Sequence, residues 1–229
     1  MEQKDVCTGS LQREGDHLEN TGTRQKAKEQ RREDFLEAGF ALFSEKGIDA
    51  VTLQDVADAS GHGIATLYRY FATKPGLLVE ISDWKWEAFF AQNSRRRTYD
   101  PGAATAAEMF DFYLDSFLEV YRTDKPLLRF NQFLNIYLRS EDVEEGVKQR
   151  YQGLMKPIFD LVHAVYARAQ NDNTIRTDVS ETEMLSVTVH LMLAAVTRYA
   201  VGLVFEPEGF DDEAELEILK KMLLERYRA

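Results

Sequence analysis

The sequence has 229 residues, 44% of them apolar and 29% charged, and a net charge of −11, which fits an ordinary folded chain with room for a core and excludes a collagen-like or low-complexity protein. Its single cysteine, Cys7, excludes a disulfide framework within the chain. The opening Met-Glu-Gln-Lys-Asp has no apolar secretory core, and no uncharged apolar run reaches the roughly 18 residues that would span a bilayer, so a cytoplasmic protein without a membrane partner is expected.

Residues 1–22 are polar, carry Gly9, Gly15 and Gly22, and show no apolar period, which predicts a disordered leader. The next stretch is basic: Arg24, Lys26, Lys28, Arg31 and Arg32 face only Glu29, a local excess of 5 − 1 = +4 in an acidic chain. A docking polyanion responds to that local field rather than to the total. A first helix is predicted from Arg24 to Lys46, with Phe35, Leu36, Phe40 and Phe43 in its apolar stripe and Gly47 as its stop. Thr52 can cap a short second helix, with Asp55 in the third position of a capping box. Gly61 and Gly63 mark a turn, Ile64–Phe71 a third helix, and Thr73 with Pro75 the start of a fourth that runs to about Arg96. Beyond Pro101-Gly102, helices are predicted near Ala104–Tyr121, Lys125–Leu138, Asp142–Gln170, Ser180–Phe205 and Asp211–Tyr227, with Ser180 and Glu183 as a capping box. The fold class is therefore all-α, with about nine helices. After the leader, a small three-helix unit is expected over 23–74 and a larger helical domain over 75–229.

Two short helices joined by a glycine turn and preceded by a longer helix make a helix-turn-helix. The residues themselves are more specific. Thr52-Leu53-Gln54-Asp55-Val56-Ala57, then Gly61, then Thr66-Leu67-Tyr68-Arg69-Tyr70-Phe71 and Thr73-Lys74 resemble the TetR family of bacterial repressors. The likeness covers about a quarter of the chain closely. It implies DNA contacts from Thr52 to a phosphate, from Gln54 to a base edge, and from Ile64, Ala65 and Thr66 at the start of the recognition helix. It implies phosphate contacts from Tyr68 and Lys74, and a base or a phosphate for Tyr70. The sequence departs from the family at Gly63, where Ser or Thr is usual, at His62, where Val is usual, and at Ala65, where Gly is usual. His62 is itself a candidate contact to the DNA backbone.

The segments near 180–205 and 211–227 are apolar on most sides and need burial on most sides, either inside a monomer or against a partner. The resemblance implies a homodimer built on these two helices and a small-molecule effector bound in the larger domain. Aromatic residues with scattered polar ones suggest a pocket there. Phe117, Tyr121, Phe133, Tyr137, His163, Tyr166 and His190 are its candidate lining, against the plainer reading that these are core residues. The four histidines and Cys7 have no metal-ligand spacing, and no phosphate-binding loop or nucleophile elbow occurs. No enzyme and no cofactor is expected. The alternative to a ligand-responsive repressor on a palindromic operator is a helical binding protein whose helix-turn-helix has no role.

Overall fold

A computed structural model describes residues 8–140, 143–154, 156–205 and 208–229, with side chains from residue 23 onward. These residues form ten helices: α1 (Thr8–Lys46), α2 (Leu53–Ser60), α3 (Ile64–Phe71), α4 (Lys74–Arg95), α5 (Ala106–Thr123), α6 (Lys125–Leu138), α7 (Glu145–Gly153), α8 (Lys156–Asp172), α9 (Glu181–Val201) and α10 (Asp212–Tyr227). There is no strand among the described residues, only an isolated bridge between Ile175 and Arg228. The fold is all-α, as the sequence predicts.

Three boundaries differ from expectation. The backbone of α1 begins at Thr8, ahead of Arg24, while the leader predicted over 1–22 falls on residues whose side chains lie outside the described set. The helix predicted over Asp142–Gln170 is two, α7 and α8. Pro157 has no amide hydrogen, so it suits the first turn of α8 and could not have continued α7. At α9 only half of the capping box forms. The Ser180 hydroxyl accepts from the Glu183 amide at 3.1 Å, but the Glu183 carboxylate turns to Arg226 at 3.4 Å.

Two apolar cores result. The first gathers Phe35, Leu36 and Phe43 of α1, Val56 of α2, Leu67 and Phe71 of α3 and Leu77, Leu78 and Ile81 of α4, and runs on into Phe130, Leu134 and Leu138 of α6. The second is built from α5, α8, α9 and α10 around Phe110, Leu114, Tyr121, Val165, Met192 and Leu216. α4 serves both, because Trp86 and Phe89, further along it, belong to the second core. α9 is long and apolar enough to cross a membrane by length and composition, yet it packs against α5, α6, α8 and α10.

Where α1 meets α4 the approach is too close for a side chain. A Cβ on buried Gly39 would stand 2.7 Å from Ile81 Cδ1. Gly39→Val should overpack this contact and destabilise the fold by about 1–3 kcal/mol, a loss that urea unfolding would register. A midpoint unchanged from wild type would show that α1 and α4 can part without loss.

Candidate nucleic-acid interface and adjoining cavity

Local hydrogen bonds set the boundaries of the helix-turn-helix. The Thr52 hydroxyl accepts from the Asp55 amide at 3.1 Å, and the Asp55 carboxylate accepts from the Thr52 amide at 2.8 Å and its hydroxyl at 2.7 Å. This is the reciprocal box the sequence predicts. The bonds from the Thr52 amide and hydroxyl hold the Asp55 carboxyl below the usual carboxylate range. Gly61 closes α2 at φ 72°, a left-handed conformation that glycine adopts without steric penalty. Gly63 caps α3 with no side-chain bond. The first amides of α3 are therefore left without a side-chain acceptor, at the positive end of the helix dipole.

The nine candidate DNA contacts divide into two groups. Four turn toward the protein. His62 Nε2 lies 2.7 Å from Asp34 Oδ2, and its ring rests 5.3 Å from that of Phe35. The Tyr70 hydroxyl donates to the Lys28 carbonyl at 3.0 Å, and its ring packs on Phe35 and Phe71. Lys74 is half-buried and donates to the carbonyls of Ile48 and Val51, each at 2.6 Å, with burial lowering its pKa. Ile64 packs against the first core. In the free protein these four side chains are engaged by α1, the α1–α2 loop or the core.

The other five face solvent wholly or in part. Gln54 and Thr52 lie on the exposed start of α2, with Gln54 Nε2 donating to Asp58 at 2.7 Å. Ala65 is exposed, Thr66 is half-buried, and Tyr68 is 51% exposed. Arg69 is exposed beside them, its guanidinium 3.4 Å from the Thr66 hydroxyl. It was not among the expected contacts, although helical spacing from Ala65 places it on the same face. The basic stretch of α1 over Arg24–Arg32 lies close by, because Tyr70 bonds to Lys28. Arg32 is withdrawn from it: with Arg150 of α7 it brackets Glu80 of α4. Burial alone would raise the Glu80 pKa, but the two guanidinium groups bring it below its ordinary value.

In the second domain a cavity of about 140 Å³ opens among Trp86, Phe89 and Phe90 of α4, Tyr113 and Phe117 of α5, Ile158 and Leu161 of α8, and Val189 and Leu193 of α9. Trp86 stacks on Phe90 at 5.6 Å. The buried Trp86 Nε1 and Tyr113 hydroxyl have no hydrogen-bond partner among the described residues, and burial raises the Tyr113 pKa. Of the seven candidate ligand residues only Phe117 is in this wall. Tyr121 is buried but gives its hydroxyl to Asp212. Phe133 and Tyr137 pack on the first core. His163 is exposed and pairs with Glu181 at 3.0 Å. Tyr166 donates to the carbonyls of Thr177 and Val179. His190 lines a separate groove between α6 and α9. The residues that sequence reasoning left out, Trp86, Phe89, Phe90 and Tyr113, are aromatics at helical spacing, a pattern that core and cavity share.

Comparison with known proteins bears on both halves. Residues 35–81 match the family described as bacterial regulatory proteins, tetR family. The HTH-type transcriptional repressor KstR of Mycolicibacterium smegmatis is 36% identical over 69 residues, 30% of this chain and 34% of KstR. KstR2 of Mycobacterium tuberculosis is 39% identical over 51 residues, 22% of this chain and 26% of KstR2. The chain thus matches about a third or less of the length of these relatives. Over longer spans the likeness is one of fold. A regulator FadR from Bacillus subtilis, solved in complex with stearoyl-CoA, superposes with a TM-score of 0.67 at 16% identity, covering 83% of this chain and 96% of its own. The ketosteroid regulator KstR2 of Mycobacterium tuberculosis superposes with a TM-score of 0.58 at 18% identity, covering 87% and 95%.

The tie between His62 and Asp34 carries a pH signature. The hydrogen bond from His62 holds the Asp34 pKa below its ordinary value. A carboxylate depressed on folding stabilises the fold fully above its unfolded pKa, near ~4, and that contribution fades as pH falls through the lower folded value. Asp34→Asn should therefore lower Tm at pH 7 and make its fall between pH 5 and pH 2 shallower than in wild type. Parallel wild-type and variant curves would remove the pair from the acid-sensitive set.

Proposed function

We propose that the chain, whose residues 35–81 match the tetR family of bacterial regulatory proteins, is a ligand-responsive transcriptional repressor that acts in the cytoplasm as a homodimer on a palindromic DNA site. The observation that carries this reading is the division of the recognition helix: Leu67 and Phe71 are buried in the first core, while Ala65, Tyr68 and Arg69 form an exposed face on α3. A helix placed this way can enter a major groove about 12 Å wide and meet base edges with its first turns. Tyr68 and Arg69 then serve phosphates or bases, and the cations over Arg24–Arg31 of α1 add attraction to the backbone.

A second copy of the chain fits the apolar surface left on α9 and α10. Only 33% of the most apolar stretch of α9 is buried within one chain. Val187 and Leu191 on α9 and Ile218 and Met222 on α10 are exposed. Two-fold pairing through these helices would cover that surface and present two recognition helices to two half-sites. The effector of this reading is an apolar or aromatic small molecule in the cavity, in keeping with a wall of aromatic and aliphatic side chains. It would regulate by binding one arrangement of the dimer more tightly than the other. The repressors KstR and KstR2 support the regulatory class, and FadR with its stearoyl-CoA supports an apolar effector.

Two measurements test the reading. Fluorescence anisotropy with the DNA upstream of the protein's own coding sequence should show saturable binding that weakens steeply with salt. Arg69→Ala should weaken it by about 1–3 kcal/mol, and Lys74→Ala should lower Tm while leaving the salt slope near that of wild type. Absence of saturable binding at low salt would remove the regulatory role. In sedimentation velocity, the double variant Leu191→Glu with Met222→Glu should run as a monomer and lose tight DNA binding. A dimer that survives both charges would place the subunit contact elsewhere.

A further inference from the structure

Two residues of the cavity wall also face a neighbouring groove. Asn131 of α6 and Leu193 of α9 belong both to that wall and to the open groove of about 420 Å³ between α6 and α9. The two spaces differ in chemistry. The groove is lined by Gln132 and Asn135 of α6 and by His190, Thr197 and Arg198 of α9. Its lining includes no carboxylate, in a chain whose net charge is −11. Arg198 is exposed and makes no ion pair among the described residues. The Thr197 hydroxyl, in a residue only 8% exposed, has no partner among them.

The Tyr151 hydroxyl of α7 lies 2.8 Å from Asn131 Oδ1 and 3.1 Å from Asn135 Oδ1, and its single proton serves one of them. His190 Nδ1 lies 3.3 Å from the Ser186 hydroxyl. The Gln132 and Asn135 amides, the Thr197 hydroxyl and the Arg198 guanidinium line a strip that carries no carboxylate. Such a strip favours an anion held by charge-assisted hydrogen bonds.

We propose that the α6–α9 groove binds the anionic head, a carboxylate or a phosphate, of an amphipathic ligand whose apolar tail occupies the aromatic cavity, with Arg198 as the principal counter-charge. This rests on the cavity being the effector site. Asn131 and Leu193, shared by the two spaces, are the residues a tail among Trp86, Phe89 and Phe117 and a head beside Arg198 would both touch.

The test uses three probes with one tail, octanoate, octyl phosphate and octanol, titrated into the full-length protein and followed by tryptophan fluorescence, since Trp86 is in the wall. Wild type should bind one or both anions at least about tenfold more tightly than octanol. The preferred anion identifies the head. Arg198→Gln should bring the anions down to the octanol level and leave octanol binding unchanged, whereas Arg198→Lys should keep most of the preference. Equal binding of all three probes, or a preference that survives Arg198→Gln, would overturn the head-group site while leaving the cavity as an effector site. If none of the three binds, the cavity reading itself fails and this inference falls with it. If Arg198→Gln alters sedimentation with no selective loss of anion binding, Arg198 belongs to the subunit contact and the assignment is overturned.

Discussion

Helices of eight residues do not persist alone in water, and α2 and α3 are both of that length. Their existence depends on α1, which supplies Phe35, Leu36 and Phe43 as the floor on which Val56, Leu67 and Phe71 are buried. The same constraint explains why so many polar groups of the turn point inward. His62 to Asp34, Tyr70 to the Lys28 carbonyl and Lys74 to the carbonyls of Ile48 and Val51 are anchors from the short helices and their flanks to α1 and its loop. A recognition helix must hold its orientation to read a groove, and this one is held at both ends.

α1 in turn is not held by the N-terminal unit alone. It packs along α6, whose Phe130, Leu134 and Leu138 complete the first core. It is also tied through Arg32 to Glu80 on α4, and Glu80 to Arg150 on α7. A carboxylate between two guanidinium groups fixes three helices at one point, and removing either arginine leaves the carboxylate with half its compensation. The two cores meet along α4 and α6, each of which gives buried residues to both.

The local elements were legible in the sequence where their chemistry is local. The Thr52–Asp55 box, the Gly61 turn and the Thr73 cap followed by Pro75 each rest on residues within a few positions of one another, and each forms as predicted. The intramolecular partners of His62, Tyr70 and Lys74 were not legible, because they lie 28, 42 or 26 residues away. The same holds for the cavity. Tyr121 and Tyr166 carry the same aromatic signal as Tyr113, but Asp212 and the carbonyls of Thr177 and Val179 claim their hydroxyls, whereas Tyr113 has no claimant among the described residues. Spacing shows that an aromatic is buried. It does not show whether the space beside it is filled.

α4 is the element that makes a response possible on the proposed reading. Its first turns, with Leu77, Leu78 and Ile81, are part of the floor under α3, and its later turns bring Trp86, Phe89 and Phe90 to the cavity. Glu80 lies within the first of these stretches. A molecule entering a cavity of about 140 Å³ lined by stacked rings must displace side chains of α4 unless it is very small, since packed interiors yield little volume. The displaced helix cannot move freely, because the Gly39–Ile81 approach and the Glu80 bridge fix it near the head. On that reading an effector acts through the later turns of α4, and the operator responds to the spacing between the two heads of a dimer.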